Sequence, residues 1–391
     1  MTKSGSAYIA GAHEHPTRES PNKSTMQLHA EVARGALEDA GLTKADIDGY
    51  LSAGIPEYEH GYPSIIMADY LGLDVEFIDT TDHGGSSPVN HVGHAKLAIQ
   101  QGKCDVALIT QAGRPRSRDQ ATGTSINEII TYQDSFEKIY GSNILATNAM
   151  AAQRHIHEFG TTTDQLAEIR AAASSHAQYN EDALYQDSVT VKDVLDSRVV
   201  ADPLHLLDCC VITDGGGSLV VVSEDIQESL SRECVEILGH GEAVNHHDAG
   251  RIELTGTAAN ESGARAYKEA GVGPEDIDYA SIYDAFTILV LEIIEDLGFC
   301  DKGAGGPFVE TGALRAPGGE LPFNTDGGGL CSNHPGNRGG MTKVIEAVRQ
   351  LRRETNPEVQ VDAETALAHG AGGGSISTRE HSVTLVLGRK G

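Results

Sequence analysis

Two segments of this chain, far apart in the sequence, closely resemble each other. Residues 36–48 read Ala-Leu-Glu-Asp-Ala-Gly-Leu-Thr-Lys-Ala-Asp-Ile-Asp, and residues 266–278 read Ala-Tyr-Lys-Glu-Ala-Gly-Val-Gly-Pro-Glu-Asp-Ile-Asp. Each copy ends a helical pattern on Ala-Gly, where glycine can take the left-handed conformation that closes a helix. Each then enters an apolar, strand-like stretch. A solenoid would repeat every ~20–50 residues, so this single long-period repeat indicates two similar α/β halves joined end to end.

The order of the other segments agrees with this division. Strand-like stretches at 7–12 and 104–110 alternate with helical patterns at 25–40 and 89–101. Such alternation is typical of α/β sheets that helices cover on both faces. The rhythm is interrupted at about 114–205, and a long excursion between core strands commonly forms a lid or a binding wall.

We therefore expect an N-terminal half at 1–225, which includes an inserted loop domain at about 114–205, and a C-terminal half at 226–391. The second half repeats the plan of the first, with a helix at 257–271 and a strand at 279–283. No change of composition marks a linker, so the halves should pack as one body.

Charge and cysteine content limit the class of protein. The net charge is −28 at pH 7, and no basic stripe is present, so nucleic acid is not an expected partner. Such acidity keeps a protein soluble where salt screens self-repulsion, which favours a halophilic cytoplasm over an ordinary one. The six cysteines show no metal-ligand spacing, and no apolar run approaches the roughly 20 residues of a membrane span. We expect a cytoplasmic protein without a bound metal or membrane segment.

A hydroxyl group stands at the start of a helix in His83-Gly-Gly-Ser-Ser-Pro88. There Ser86 would gain from the positive end of the helix dipole and from free backbone N–H groups, which suits a nucleophile. A serine that merely caps the helix ahead of Pro88 would have the same spacing. The two roles stay open at this point.

Three further loops lie where a strand gives way to a helix or turn, the place where α/β sheets bind ligands. Tyr283 and Asp284 interrupt an apolar junction, although a core tyrosine and a helix cap would look the same. His334 lies between glycines and a proline, which packing does not readily explain. His369 opens a glycine run whose N–H groups could face an oxyanion or simply form a hairpin. The P-loop ending and the dinucleotide fingerprint are absent, which disfavours nucleotide hydrolysis and hydride transfer.

Together these loops resemble the thiolase superfamily over essentially the whole chain, and especially its sterol carrier protein-type and archaeal branch. Asn333-His-Pro-Gly336 resembles the Gly-His-Pro motif, and Tyr283-Asp-Ala-Phe286 stands in the place of His-Asp-Cys-Phe. His369-Gly-Ala-Gly372 is similar to the His-Asn-x-Gly near the C-terminus of that branch. The resemblance implies a five-layer αβαβα core with an inserted loop domain. It also implies Claisen chemistry on coenzyme A thioesters, with no other cofactor.

The chain departs from the family at the nucleophile. The position of the catalytic cysteine falls on Gly85, and Ser86 lies next to it. The set resembles serine-dependent β-ketothiolase α-subunits of haloarchaea, which implies Ser86 as nucleophile, His334 as its base and His369 as acid/base at the α-carbon. Tyr283 replaces the histidine of the family motif and is a fourth candidate.

Substrate contacts are expected from two further groups. Backbone groups at Gly85 and Gly372 would hold the oxyanion, and Arg114, Arg116 and Arg338 are candidates for the phosphates of coenzyme A. The resemblance also implies a homodimer or larger oligomer and a small OB-fold partner that carries a zinc ribbon.

The leading expectation is a β-ketothiolase that cleaves or forms short 3-ketoacyl-CoA in lipid metabolism, for example in polyhydroxyalkanoate synthesis. Thiolase-like aldolases, which lack the cysteine and use tyrosines, are the first alternative because Tyr283 would suit them. However, His334 stands where those enzymes tend to carry tyrosine. Loss of the cysteine would also fit a non-catalytic acyl-CoA-binding subunit.

Overall fold

The computed structural model describes residues 5–54, 62–118, 143–245, 253–373 and 381–390. Its strands are β1 (Ala7–Glu14), β2 (Gly49–Leu51), β3 (Phe77–Asp79), β4 (Val106–Gly113), β5 (Val199–Ala201), β6 (Leu204–His205), β7 (Gly215–Ser223), β8 (Val235–Val244), β9 (Tyr279–Ser281), β10 (Thr365–Gly372) and β11 (His381–Arg389). Its helices are α1 (Thr25–Ala40), α2 (Pro63–Leu71), α3 (Ser87–Gln100), α4 (Ile144–Phe159), α5 (Thr163–Ala177), α6 (Val191–Asp196), α7 (Glu224–Gln227), α8 (Ala259–Ala270), α9 (Thr287–Asp296), α10 (Gly305–Glu310), α11 (Gly328–Cys331) and α12 (Gly339–Leu351).

Local sequence signals account for the helix ends. α1 begins with a capping box, in which the Ser24 hydroxyl accepts from the Gln27 backbone and the Gln27 side chain accepts from Ser24. This exchange satisfies two backbone donors that a helix start otherwise leaves without partners. Leu28, Val32 and Leu37 then form the buried stripe of α1.

Nine strands form one mixed sheet in the order β3-β2-β4-β7-β1-β8-β11-β10-β9, and β5 pairs separately with β6. The first five strands in this order belong to the N-terminal half, and the last four belong to the C-terminal half. The halves join where β1 pairs with β8, with Tyr8 opposite Glu236 and Ile9 opposite Val235. The expected α/β architecture of two joined halves is therefore observed.

Both copies of the repeat adopt the same local structure. α1 and α8 each end at a glycine with positive φ, 71° at Gly41 and 74° at Gly271, a conformation that costs glycine little. A short 3-10 turn follows each helix, at Lys44–Asp46 and Pro274–Asp276, and leads into β2 or β9. The two copies are therefore alike in structure as well as in sequence. The division of the chain between residues 225 and 226 stays a prediction.

The two faces of the sheet carry different helices. α3 and α12 pack on one face against side chains of the central strands, including Ile109 and Leu385. α1 and α2 cover the opposite face of the N-terminal half, and α4, α5, α8 and α9 pack around the C-terminal half. Because α3 and α12 are buried along most of their length, residues at their N-terminal ends lie inside the protein.

The predicted loop domain contains α4, α5 and α6, whereas its residues 119–142 lie outside the described ranges. No helix in the described part of the chain is both long and apolar enough to cross a lipid bilayer.

Candidate active site

The start of α3 places Gly85 and Ser86 in the interior. Gly84–Ser86 form a 3-10 turn that runs directly into the helix. Ser87 Oγ accepts the backbone N–H of His83 at 2.6 Å, so Ser87 stabilises this turn. Ser86 is fully buried and accepts no capping bond from the helix backbone, so the simple capping role does not explain it.

Ser86 Oγ has two partners. It donates to the carbonyl oxygen of His83 at 3.0 Å, and it lies 2.7 Å from Nδ1 of His381, the first residue of β11. Nε2 of His381 lies 3.8 Å from Oε2 of Glu242 on β8. Among the described residues, His334 is not one of these two partners, and its role as the base for Ser86 stays a prediction. The role of Ser86 as a nucleophile stays a prediction.

Tyr283 fills the space beside Gly85. A Cβ atom at Gly85 would lie 2.4 Å from both Cζ and Oη of Tyr283 and 2.5 Å from the carbonyl oxygen of Ala371. Close-packed interiors do not admit such contacts. The phenol therefore occupies the volume in which a side chain at residue 85 would begin, and a cysteine does not fit there beside Tyr283.

Tyr283 and His334 form a buried hydrogen-bonded pair. Oη of Tyr283 lies 3.1 Å from Nε2 of His334, and the ring centroids are 5.5 Å apart. Glycines on two sides make room for the imidazole, because a Cβ at Gly329 or Gly339 would lie 2.9 Å from Cδ2 of His334. A phenol and an imidazole at this distance can exchange a proton directly.

A chain of hydrogen bonds holds the backbone of His334. Its N–H donates to Oγ1 of Thr213 at 2.9 Å, and that hydroxyl donates to Oδ1 of Asn333 at 2.6 Å. Nδ2 of Asn333 donates in turn to Oε1 of Glu14 at 2.7 Å, at the end of β1. The N-terminal half therefore fixes a loop of the C-terminal half.

His369 is buried and neutral. Burial, with a smaller contribution from His381, lowers the pKa of His369 to about 3. Among the described residues, neither ring nitrogen has a hydrogen-bond partner. Leu367 and Ala371 lie two residues before and after His369 on β10, so the three side chains point to the same face of the sheet. Leu367 and Ala371 belong to the same apolar cluster as Tyr283, and His369 therefore faces that side of the sheet. Its role at the α-carbon stays a prediction.

Gly372 is required by close backbone packing. A Cβ at this position would lie 1.6 Å from the carbonyl oxygen of His83 and 2.7 Å from Oγ of Ser86. The last residues of β10 thus press against the turn that carries Gly85. The oxyanion roles of Gly85 and Gly372 stay predictions.

The three arginine candidates differ in their surroundings. Arg338 is buried, and its guanidinium donates to the carbonyl oxygens of Gly54 and Ala112. Arg116 is exposed and forms an ion pair with Glu19 at 3.4 Å. Arg114 donates to the carbonyl oxygen of Ser20 at 3.5 Å. The guanidinium of Arg338 therefore holds two backbone segments together inside the protein, whereas Arg116 is the most accessible of the three arginines.

Two cysteines near the Tyr283 loop, Cys209 and Cys331, are not activated thiols that could replace the missing cysteine. The backbone N–H of Cys210 donates to the carbonyl oxygen of Ala285 at 2.9 Å, so the adjacent cysteines lie close to the Tyr283 loop. Burial raises the pKa of Cys209 to about 12 and that of Cys331 to about 11, which keeps both thiols protonated. In the part of the chain that the structure describes, no cluster of three or more His, Cys, Asp or Glu residues could hold a metal ion.

Sequence reasoning missed His381 and Glu242. Neither lies in a recognisable motif, and the only signal for His381 is its position just after the C-terminal glycine run. Its contact with Ser86 spans 295 residues and follows from the pairing of β11 with β10.

Comparisons with known proteins place the chain in a family. Residues 241–389 match the family described as Thiolase C-terminal domain-like. An acetyl-CoA acetyltransferase of Methanothermobacter thermautotrophicus is 32% identical over 359 residues, which cover 90% of this chain and 92% of the relative. A steroid side-chain-cleaving aldolase of Thermomonospora curvata is 33% identical over 362 residues, which cover 89% and 90%. The solved structure of the Ltp2-ChsH2(DUF35) aldolase matches with a TM-score of 0.86 and 30% identity over 98% of both chains.

This chain belongs to the thiolase superfamily, in the branch of the sterol carrier protein-type and archaeal enzymes. The expected thiolase fold is confirmed. Relatives in this branch are named both as acetyl-CoA acetyltransferases and as aldolases, so membership alone does not choose between these reactions.

Proposed function

We propose that this protein makes or breaks a carbon–carbon bond next to an acyl-CoA thioester by aldol chemistry, without an acyl-enzyme intermediate. The observation that carries the proposal is the phenol of Tyr283, which fills the space beside Gly85 and is hydrogen-bonded to His334. A site of this shape has an acid/base pair where a thiolase has its nucleophile. The likeness to two aldolases supports the same reading.

The cleavage can be written with Tyr283 and His334 alone. Tyr283 takes the proton of the β-hydroxyl group of a β-hydroxyacyl-CoA as it passes its own proton to Nε2 of His334. The bond between the α- and β-carbons breaks, the β-carbon leaves as a carbonyl compound, and the electron pair stays on the thioester enolate. The enolate takes a proton from Tyr283 at the α-carbon, and His334 returns its proton to Tyr283. One proton has moved from oxygen to carbon, and both side chains are restored.

Exchange of α-protons tests this proposal without knowledge of the carbonyl partner. Acetyl-CoA or propionyl-CoA is incubated with the protein in D2O, and deuterium at the α-carbon is followed by mass spectrometry. We expect exchange with the wild type and with Ser86→Ala, and a loss of about 100-fold or more with Tyr283→Phe. Tyr267→Phe is the matched control, because it removes a buried hydroxyl that donates to the carbonyl oxygen of Leu297. Undiminished exchange by Tyr283→Phe would contradict the proposal.

A second candidate, the β-ketothiolase with a serine nucleophile, is favoured by one observation. Ser86, His381 and Glu242 line up as hydroxyl, imidazole and carboxylate, with 2.7 Å and 3.8 Å between successive members. The base would then be His381 rather than His334. Against it, Ser86 donates its proton to the carbonyl oxygen of His83, and burial lowers the pKa of His381 to about 4, which makes His381 a weak base.

Intact mass separates these readings. After incubation with acetoacetyl-CoA, a serine-dependent thiolase would carry an acetyl group that Ser86→Ala lacks, whereas the aldolase would carry none. A protein that shows neither acetylation nor α-proton exchange, yet binds acyl-CoA, would be the non-catalytic subunit.

We also propose a second subunit. The aldolase structure that this chain resembles is named as a complex of two components, which supports the expected small OB-fold partner with a zinc ribbon. Assays should therefore include proteins that copurify with the chain. The halophilic cytoplasm, the polyhydroxyalkanoate pathway and the phosphate contacts of Arg114, Arg116 and Arg338 stay predictions.

Self-association is proposed from the edge of the sheet. β3 is the last strand on its side among the described residues, and strands at a sheet edge readily pair with another chain. Ile78 on β3 is 40% exposed, and Leu97 on α3 is 51% exposed. We expect a homodimer by light scattering, which Ile78→Asp dissociates and Val199→Asp, at an exposed site on β5, does not.

A further inference from the structure

A buried lysine forms an ion pair with Asp284, the residue that follows Tyr283 in the chain. Nζ of Lys343 on α12 lies 2.7 Å from Oδ1 of Asp284, and both side chains are at most 1% exposed. Ions in the interior lose their hydration, and a buried pair is often no more stabilising than apolar side chains of the same size. Stability alone therefore does not explain why this ion pair is present.

Asp284 connects the two loops that carry the pair. It follows Tyr283 in the chain, and its carboxylate accepts the backbone N–H groups of Gly329 at 2.9 Å and Leu330 at 3.2 Å. These amides belong to the loop that leads to His334. One carboxylate thus ties the loop that carries the phenol to the loop that carries the imidazole.

The charges around Lys343 favour Asp284 as its ionic partner. Burial by itself lowers the pKa of Lys343, but the carboxylates of Asp284 and Asp326 more than offset this effect, so the ammonium group stays charged. Burial raises the pKa of Asp326, and the charge of Lys343 opposes this effect, whereas Asp284 lies in direct contact with Lys343. Glu14, a third acidic group whose charge reaches Lys343, has its own partners in Arg18 and Arg349.

We propose that Asp284 and Lys343 are positioning residues for the Tyr283–His334 pair, in which Asp284 fixes the separation of the two rings and Lys343 balances the charge of Asp284. Without the ammonium group, a carboxylate adjacent in sequence to Tyr283 would oppose negative charge on the phenol, because charges interact strongly in the interior. This catalytic role rests on the proposed function. The hydrogen bonds by which Asp284 links the Tyr283 loop to the His334 loop, called the clamp below, do not depend on it.

The test compares Lys343→Met, Asp284→Asn and the double variant. For Lys343→Met we expect kcat for α-proton exchange to fall by about 100-fold, with KM for acyl-CoA changed by less than about 3-fold. The acid limb of its pH–rate profile should move to higher pH, because the uncompensated carboxylate favours the protonated form of a neighbouring base. Lys96→Met is the matched control, since Lys96 is also buried and paired with a carboxylate, Glu269, at 2.8 Å, away from Tyr283.

The double variant separates positioning from stability. Replacing both charges should restore much of the unfolding free energy lost in Lys343→Met, because no unpaired buried charge remains. It should not restore kcat, because an asparagine amide cannot accept from the two backbone N–H groups with two oxygens as the carboxylate does. Recovery of kcat together with stability would show that the pair is only structural and would overturn the proposal.

Amide hydrogen exchange measures how firmly the clamp holds the His334 loop, without any assay of activity. Peptides that cover residues 327–334 should exchange faster in Asp284→Asn and Lys343→Met than in the wild type or Lys96→Met. A wild type that exchanges no α-protons would end the proposed function, yet faster amide exchange here would still support the clamp. Unchanged amide exchange in both variants would refute the clamp itself.

Discussion

Asp48 and Asp278 perform the same structural task in the two halves. The carboxylate of Asp48 accepts the backbone N–H groups of Asp105 at 2.8 Å and Val106 at 2.8 Å, at the start of β4. The carboxylate of Asp278 accepts the N–H groups of residues 364 and 365, each at 2.9 Å, at the start of β10. The last aspartate of each repeat copy therefore holds its own strand beside the next parallel strand.

We expect Asp48→Ala and Asp278→Ala to lower the unfolding free energy by similar amounts, about 1–3 kcal/mol each, because each loses two hydrogen bonds to backbone N–H groups, worth roughly 0.5–1.5 kcal/mol apiece. The sites share no partners, so the double variant should lose roughly the sum. Urea unfolding measures this. Asp74→Ala, at an exposed position, is the control and should change stability by less than about 0.5 kcal/mol. A large cost at only one of the two sites would mean that the copies are not equivalent.

The sequence predicts the parts of this fold that local chemistry decides. The helix at 25–40 is found at Thr25–Ala40, because its cap, apolar stripe and terminal glycine all lie within a few residues of one another. The repeat likewise predicts β2 and β9, since the same turn precedes each.

The candidate site is less predictable because contacts between distant segments decide it. Sequence spacing placed Ser86 and His334 in suitable loops, but only the packing of β11 against α3 shows that Ser86 meets His381. The position of the Tyr283 phenol against Gly85 likewise depends on the approach of two halves. A glycine in place of a nucleophile indicates a missing group and does not say what fills its space.

Restoring the family nucleophile should not restore thiolase chemistry. We expect Gly85→Cys to lower the unfolding free energy by about 1–3 kcal/mol, because its side chain overlaps Tyr283 and overpacking strains a close-packed core. Intact mass after incubation with acetoacetyl-CoA should show no acetylated thiol. Gly318→Cys is the control, since no atom lies within 4 Å of a Cβ built there. Efficient acetylation of Gly85→Cys with Tyr283 intact would contradict this expectation, because it would show that the phenol moves aside to admit the cysteine.

A methyl group beside His334 should separate activity from stability. A Cβ at Gly339 would lie 2.9 Å from Cδ2 and 3.2 Å from Nε2 of His334. Gly339→Ala should therefore displace the imidazole and lower α-proton exchange by about 10–100-fold. Alanine favours helix over glycine by about 1 kcal/mol, which offsets part of the strain at this first residue of α12, so the melting temperature should change little. Normal exchange by Gly339→Ala would argue that the position of the imidazole is unimportant.

His369→Leu should stabilise the protein, and its activity shows whether His369 takes part in the reaction. Both ring nitrogens of His369 are buried without a hydrogen-bond partner among the described residues, so an apolar side chain of similar size should raise the unfolding free energy by about 1 kcal/mol at pH 7.5. If His369 exchanges a proton with the substrate, as the sequence predicts, turnover is lost in the same variant. A fall in stability would instead show that the imidazole makes a favourable contact.

The same variant should change how stability depends on pH. The pKa of His369 is about 3 in the folded protein and about 6.5 in an unfolded chain. Between these values only the unfolded chain binds the proton, so stability is complete above about pH 6.5 and falls as the pH decreases. From pH 7 to pH 5 the loss from this one residue is about 2 kcal/mol, and His369→Leu should remove it from a series of urea unfolding curves. His94→Leu should have the opposite effect. The hydrogen bond that His94 donates to the carboxylate of Asp79 raises the pKa of His94, so loss of that pair costs stability at low pH. Equal pH slopes in wild type and His369→Leu would show that His369 is accessible to protons in the folded state.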